Sequence, residues 1–129
     1  MELYLVRHGE TEWNKERRLQ GQADVALDDF GRQLAVETGE ALQDIPFDVC
    51  FTSPLKRAKE TAELILAGKD VPIIEDKRII EMGFAEYEGK CCAEEGWDLP
   101  ESFRAFTCLS STPSDTSFWK KILTVIKIS

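Results

Sequence analysis

DVCFTSPLKRAKETAELILAGKDVPIIE, residues 48–75, reads as strand, helix and strand in succession, and it decides the fold class. DVCFTS (48–53) is apolar and rich in β-formers, and VPIIE (71–75) is a second such run, with Pro72 tolerable near a strand start or at a sheet edge. Between them lies a well-punctuated helix: Ser53 suits an N-cap, Pro54 the first turn and Gly68 the stop. Leu55, Ala58, Ala62, Ile65 and Leu66 recur at helical spacing as its buried stripe. A strand, a helix and another strand at this spacing predict parallel pairing in an α/β layered domain.

The pattern extends toward the N-terminus. Glu2 to Val6 form a short strand that delivers His8, the single histidine of the chain, at its carboxyl end. Gly9 to Leu27 are polar and irregular and read as a long loop. Asp28 then caps a helix ending near Asp44, before Pro46, with Phe30, Leu34, Ala35, Ala41 and Leu42 as its apolar positions. Toward the C-terminus a helix is expected around Glu101 to Leu109 and a loop over SSTPSDTS (110–117). SFWKKILTVIKIS permits either a helix through Phe118, Ile122, Val125 and Ile126 or a strand through ILTVIKI, and periodicity does not choose.

The chain has 129 residues, enough for one hydrophobic core, so residues 1–129 are read as a single domain. Sixteen Lys and Arg against 24 Asp and Glu give a net charge of −8, which argues against a nucleic acid or an anionic membrane surface as partner. No window approaches the ~18 consecutive apolar residues of a membrane span, and MELYLV is too short and acidic for a secretory signal, so a cytoplasmic location is expected. Cys50, Cys91, Cys92 and Cys108 lack paired metal-ligand spacing; they read as free thiols, and no metal or cofactor is expected.

In a parallel α/β sheet, ligands bind beyond the carboxyl ends of the strands, where both His8 and Ser53 fall. Arg57 lies near the amino end of the helix after Ser53, where backbone N–H groups attract anions. Arg7, Arg57 and a helix N-terminus converging on an imidazole suit a small dianion, because arginine forks match phosphate oxygens. Positive surroundings favour the neutral imidazole, which can attack phosphorus. Glu81, shortly after the third strand, is the candidate general acid for the leaving alkoxide. Each piece has a plainer reading as well: a structural histidine, a surface ion pair, one acidic residue among 24.

LVRHGETEWN, RRLQGQADVALDDFGRQLA, TSPLKRAKETA and RIIEMGFAEYEG, in that order, resemble the histidine phosphatase superfamily, also called phosphoglycerate mutase-like, over roughly the first two-thirds of the chain. The resemblance implies a three-layer α/β/α sandwich with a mostly parallel sheet. It implies that His8 is the phosphorylated nucleophile, that Arg7 and Arg57 clamp the phosphoryl group, and that Asn14 contacts phosphate or substrate. Gln20 and Gly21 would lie on the substrate loop, and Glu81 would be the proton donor. The expected partner is a small phosphorylated substrate or inorganic phosphate. RLQGQAD looks like the phosphatase-type loop, which favours hydrolysis over phosphoglycerate mutase-type phosphotransfer. AEYEG departs from the commoner GEWEG, with Ala85 for Gly and Tyr87 for Trp.

The family's second histidine, in a late motif like VSHGG, has no counterpart among these residues. If ILTVIKI imitates that strand, Ile128 or its neighbour stands where the histidine should. The expected consequences are an incomplete C-terminal side, an impaired phosphohistidine site, and an uncovered sheet edge that invites pairing with another copy. A non-catalytic phosphate- or partner-binding module is the alternative of a different class.

Overall fold

A computed structural model describes residues 2–92 and 124–128, with the elements β1 (Glu2–Val6), α1 (Glu12–Lys15), α2 (Asp29–Ala41), β2 (Val49–Thr52), α3 (Lys56–Ile65), β3 (Ile73–Glu75) and β4 (Thr124–Ile128). The helix expected at Glu101 to Leu109 and the loop at 110–117 lie outside the described residues. The tail left open between helix and strand is strand over Thr124–Ile128, where four of five residues are β-branched.

The sheet order is β1-β4-β2-β3. β2 and β3 pair in parallel, Cys50 opposite Ile73, as the strand–helix–strand reading requires. β4 runs antiparallel to both β1 and β2, so those two share one direction and three of the four strands point the same way. Their carboxyl ends, carrying His8 and Ser53, therefore reach the same edge. The antiparallel course of β4 corrects one expectation: Ile128 pairs with Glu2 at the far end of the sheet, and Thr124 is the residue opposite Val6 and Thr52 near the His8 edge.

One face of the sheet carries the main core. Tyr4, Val6 and Ile73 pack against a buried cluster that includes Ala35, Phe47, Cys50, Ala62 and Ile65, and so join α2 and α3 to the strands. On the alternate positions Leu3, Leu5 and Ile74 are 53%, 54% and 45% exposed, so among the described residues a single helical layer covers the sheet, on one side. The second helical layer of the expected sandwich is not among the described residues.

α2 is capped as expected, with Asp28 Oδ1 accepting from the Gly31 N–H at 2.7 Å. Its buried face differs from the expected stripe: Gly31, Ala35 and Gly39 are buried, whereas Phe30 and Leu34 are exposed. The cause is close backbone approach. A Cβ on Gly31 would lie 2.2 Å from the Glu10 carbonyl oxygen, and one on Gly39 would lie 2.7 Å from that of Ile65, so the small residues must face inward. α3 buries Leu55, Ala58, Ala62, Ile65 and Leu66 as expected, but it begins at Lys56 rather than directly after Ser53. Ser53 Oγ instead accepts from the Leu55 N–H at 3.3 Å in a turn before the helix. Gly68 ends the run with φ +77°, the left-handed conformation a helix stop uses.

Candidate active site

His8 leaves β1 on a turn that only glycine can continue. A Cβ on Gly9 would sit 2.7 Å from the Gly31 carbonyl oxygen, so the missing side chain lets the turn lie against the start of α2. The Gly9 N–H donates to Thr61 Oγ1 at 3.0 Å, and the Thr61 hydroxyl donates to the Arg57 carbonyl at 2.6 Å. Thr61 is four residues beyond Arg57, hence on the same face of α3, and it ties that helix to the histidine turn.

The expected long loop Gly9 to Leu27 contains the short helix α1, a correction with a local cause. Thr11 and Asn14 form a reciprocal capping box, in which the Asn14 N–H donates to Thr11 Oγ1 at 3.2 Å and the Thr11 N–H donates to Asn14 Oδ1 at 3.0 Å. With Oδ1 so used, the Nδ2 donors remain to the Asn14 amide, and Asn14 lines the cleft. The Thr-x-x-Asn spacing was legible in the sequence.

Arg57 is 1% exposed. Its Nη1 donates to the Ala23 carbonyl at 2.7 Å and its Nη2 to the Gly21 carbonyl at 2.6 Å, while buried Nε has no hydrogen-bond partner among the described residues. Burial pulls its pKa below that of a free guanidinium, and the carboxylates of Glu81, Asp24 and Glu88 oppose the shift. The amino end of α3 is less open to an anion than expected, because the Lys56 N–H already donates to Asp24 Oδ1 at 2.8 Å.

Arg7, His8 and Asn14 line one cleft of about 430 Å³ together with Glu10, Phe30 and Leu34. Phe30 and Leu34, expected in the core of α2, are thus walls of this cleft. Burial lowers the pKa of Arg7 and Arg57, and the Glu81 charge partly offsets it; neither Glu81 nor Arg57 is among the residues that line the cleft, and Glu81 Oε1 accepts from the Met82 N–H at 2.8 Å. Gln20 and Gly21 are buried away from the cleft lining: Gln20 Oε1 accepts from the Thr11 hydroxyl at 2.9 Å, and Gly21 holds Arg57. Among the described residues no group of three or more His, Cys, Asp and Glu side chains could hold a metal ion. Nor is any described helix long and apolar enough to cross a membrane.

The state of His8 follows from its neighbours. Its Nδ1 lies 2.6 Å from the Gly9 carbonyl oxygen, which can only accept, so Nδ1 carries the proton and Nε2 keeps its lone pair. Burial, then the charges of Arg57 and Arg7, outweigh that hydrogen bond and lower the His8 pKa from 6.5 to about 4. Above pH 6.5 the folded and unfolded states are both neutral at this group, and it does not affect stability. As pH falls from 6.5 toward 4, the unfolded chain takes up the proton first, and stability drops by up to about 3 kcal/mol. Because His8 is the sole histidine, its imidazole C–H resonance is assigned without ambiguity. An NMR titration is expected to place its midpoint near 4; a midpoint near 6.5 would contradict the desolvated, arginine-flanked site.

Comparison with known proteins supplies an independent result. The sequence pattern of the histidine phosphatase superfamily (branch 1) matches residues 3–117. The chain is 42% identical over 98 residues to an uncharacterized phosphatase PhoE of Bacillus subtilis (strain 168), a match covering 76% of this chain and 51% of the relative. It is 44% identical over 95 residues to a 2,3-bisphosphoglycerate-dependent phosphoglycerate mutase 2 of Gloeobacter violaceus, covering 71% and 43% respectively. The solved structure of Bacillus stearothermophilus YhfR superposes with a TM-score of 0.65 at 38% identity, over 80% of this chain and 48% of that one. The chain thus spans about half the length of the curated relatives it matches.

Proposed function

The chain belongs to the histidine phosphatase superfamily, and from that premise we propose that it hydrolyses phosphomonoesters through a phosphohistidine formed on His8. The observation that carries this reading is the His8 ring: neutral, protonated on Nδ1, and flanked by Arg7 and Arg57. In the first step Nε2 forms a bond to phosphorus, the bond to the leaving oxygen breaks, and Glu81 gives that oxygen its proton. In the second, water attacks phosphorus, its proton passes to the Glu81 carboxylate, and the P–N bond breaks to release inorganic phosphate. Arg7 and Asn14 line the cleft as donors for the phosphoryl oxygens, and the buried Arg57 guanidinium acts on them through its charge.

Trapping tests the reading directly. Brief incubation with a labelled phosphomonoester and acid-free quenching should leave an acid-labile phosphoryl group on His8; a trapped group elsewhere, or none with turnover proceeding, overturns it. Phosphate returned on a different carbon of a phosphoglycerate, rather than free phosphate, would assign the mutase reaction instead. These 129 residues hold one histidine, and by themselves they are expected to turn over ~10²- to 10³-fold more slowly than a fully furnished phosphoryl site.

The role of Glu81 predicts a dependence on the leaving group. Glu81→Gln should slow hydrolysis of an alkyl phosphate by about 10²- to 10⁴-fold, because an alkoxide must be protonated as it departs. The same variant should slow p-nitrophenyl phosphate far less, since that phenolate leaves unaided. Equal slowing of both esters would remove Glu81 from the proton-donor role.

A further inference from the structure

The side chain of Glu88 is absent from the chemistry described so far, yet it stands where three parts of the site meet. Its Oε1 accepts from the Gln22 N–H at 2.8 Å and from the Phe84 N–H at 3.0 Å. The first bond fixes the loop whose Gly21 and Ala23 carbonyls hold the Arg57 guanidinium. The second fixes the segment that leads from Glu81. Gln22 closes the circuit by donating from Nε2 to the Glu81 carbonyl at 3.0 Å. Gly21 leaves room for the carboxylate: its φ is +54°, and a Cβ there would come within 2.3 Å of Glu88 Oε1.

We infer that Glu88 is a positioning residue, which aims the buried Arg57 guanidinium and sets the Glu81 segment beside it by holding the Gln22 and Phe84 amides on one carboxylate oxygen. Guanidinium orientation matters because Nη1 and Nη2 are both engaged by loop carbonyls, so the direction of the unpartnered Nε depends on where those carbonyls stand. The loop moves if Glu88 releases the Gln22 amide, and Nε moves with it. Folding does not depend on this carboxylate alone. The Leu19 N–H donates to the Lys90 carbonyl at 3.0 Å, the Gly89 N–H donates to the Leu19 carbonyl at 2.7 Å, and Leu19 and Phe84 form a separate buried cluster joining the same segments.

The test compares Glu88→Ala with Glu88→Gln in the 129-residue chain, by the Arg57 Nε–H resonance and by the affinity for inorganic phosphate. In Glu88→Ala the resonance should shift, amide exchange at Gln22 and Phe84 should accelerate, and phosphate should bind about tenfold to a hundredfold more weakly. Glu88→Gln should restore both readings, because its amide oxygen can accept the same two N–H bonds. A purely structural role would lower the unfolding midpoint of Glu88→Ala and leave the resonance unmoved, which overturns the inference, as does failure of glutamine to rescue. The phosphate readout rests on the proposed function, whereas the resonance does not. A parent protein that neither binds phosphate nor turns over would refute that function while the Arg57 signal still decides the role of Glu88.

Discussion

Replacing His8 with alanine is expected to lower phosphate release from a phosphomonoester by at least about a thousandfold. The loss is large because Nε2 is the proposed attacking atom, and these 129 residues hold no other imidazole to substitute for it. Arg7, Arg57 and Asn14 remain, so the variant should still bind inorganic phosphate. The fold should persist as well: His8 is half-buried, among the described residues its ring bonds to the carbonyl of the adjacent Gly9, and burial disfavours its protonation. Side-by-side rates of parent and variant, with thermal unfolding as control, make the measurement. A variant within about tenfold of the parent would mean that the attacking group lies elsewhere.

Arg57→Lys should lower kcat/KM by about 10²- to 10³-fold although it conserves the charge. The guanidinium Nη groups bind the Gly21 and Ala23 carbonyls, and its charge acts on the phosphoryl site proposed at His8. An ammonium at the end of a flexible stem reaches one of these at a time and leaves buried carbonyls unpaired. Weaker binding of inorganic phosphate should accompany the slower rate. Retention of kcat/KM within about threefold would show that charge alone, without the fork, is what the site requires.

Much of this was legible in the sequence because it is local. The β1 strand ending before His8, the Asp28 cap, the buried stripe of α3 and the stop at Gly68 each depend on residues within a turn or two of one another. The motifs around His8, Arg57 and Glu81 were legible too, being contiguous strings. Where the reading failed, a distant partner intervened. Periodicity put Phe30 and Leu34 in the core, but the Glu10 backbone pressed against Gly31 turned α2 so that they line the cleft instead. Ser53 looked like the cap of α3, yet Asp24 from a remote loop takes the Lys56 N–H.

By itself the sequence determined the α/β class, the family, and which side chains could carry phosphoryl chemistry, since composition, periodicity and contiguous motifs are properties of the chain. Only the tertiary structure decided what state those side chains occupy. The depressed basicity of His8, the buried guanidinium of Arg57 held by the Gly21 and Ala23 carbonyls, and the shared carboxylate of Glu88 depend on burial and on carbonyls or amides from elsewhere in the chain. The antiparallel course of β4 is of the same kind, because strand direction is fixed by the partners a strand finds, and ILTVIKI pairs equally well read either way.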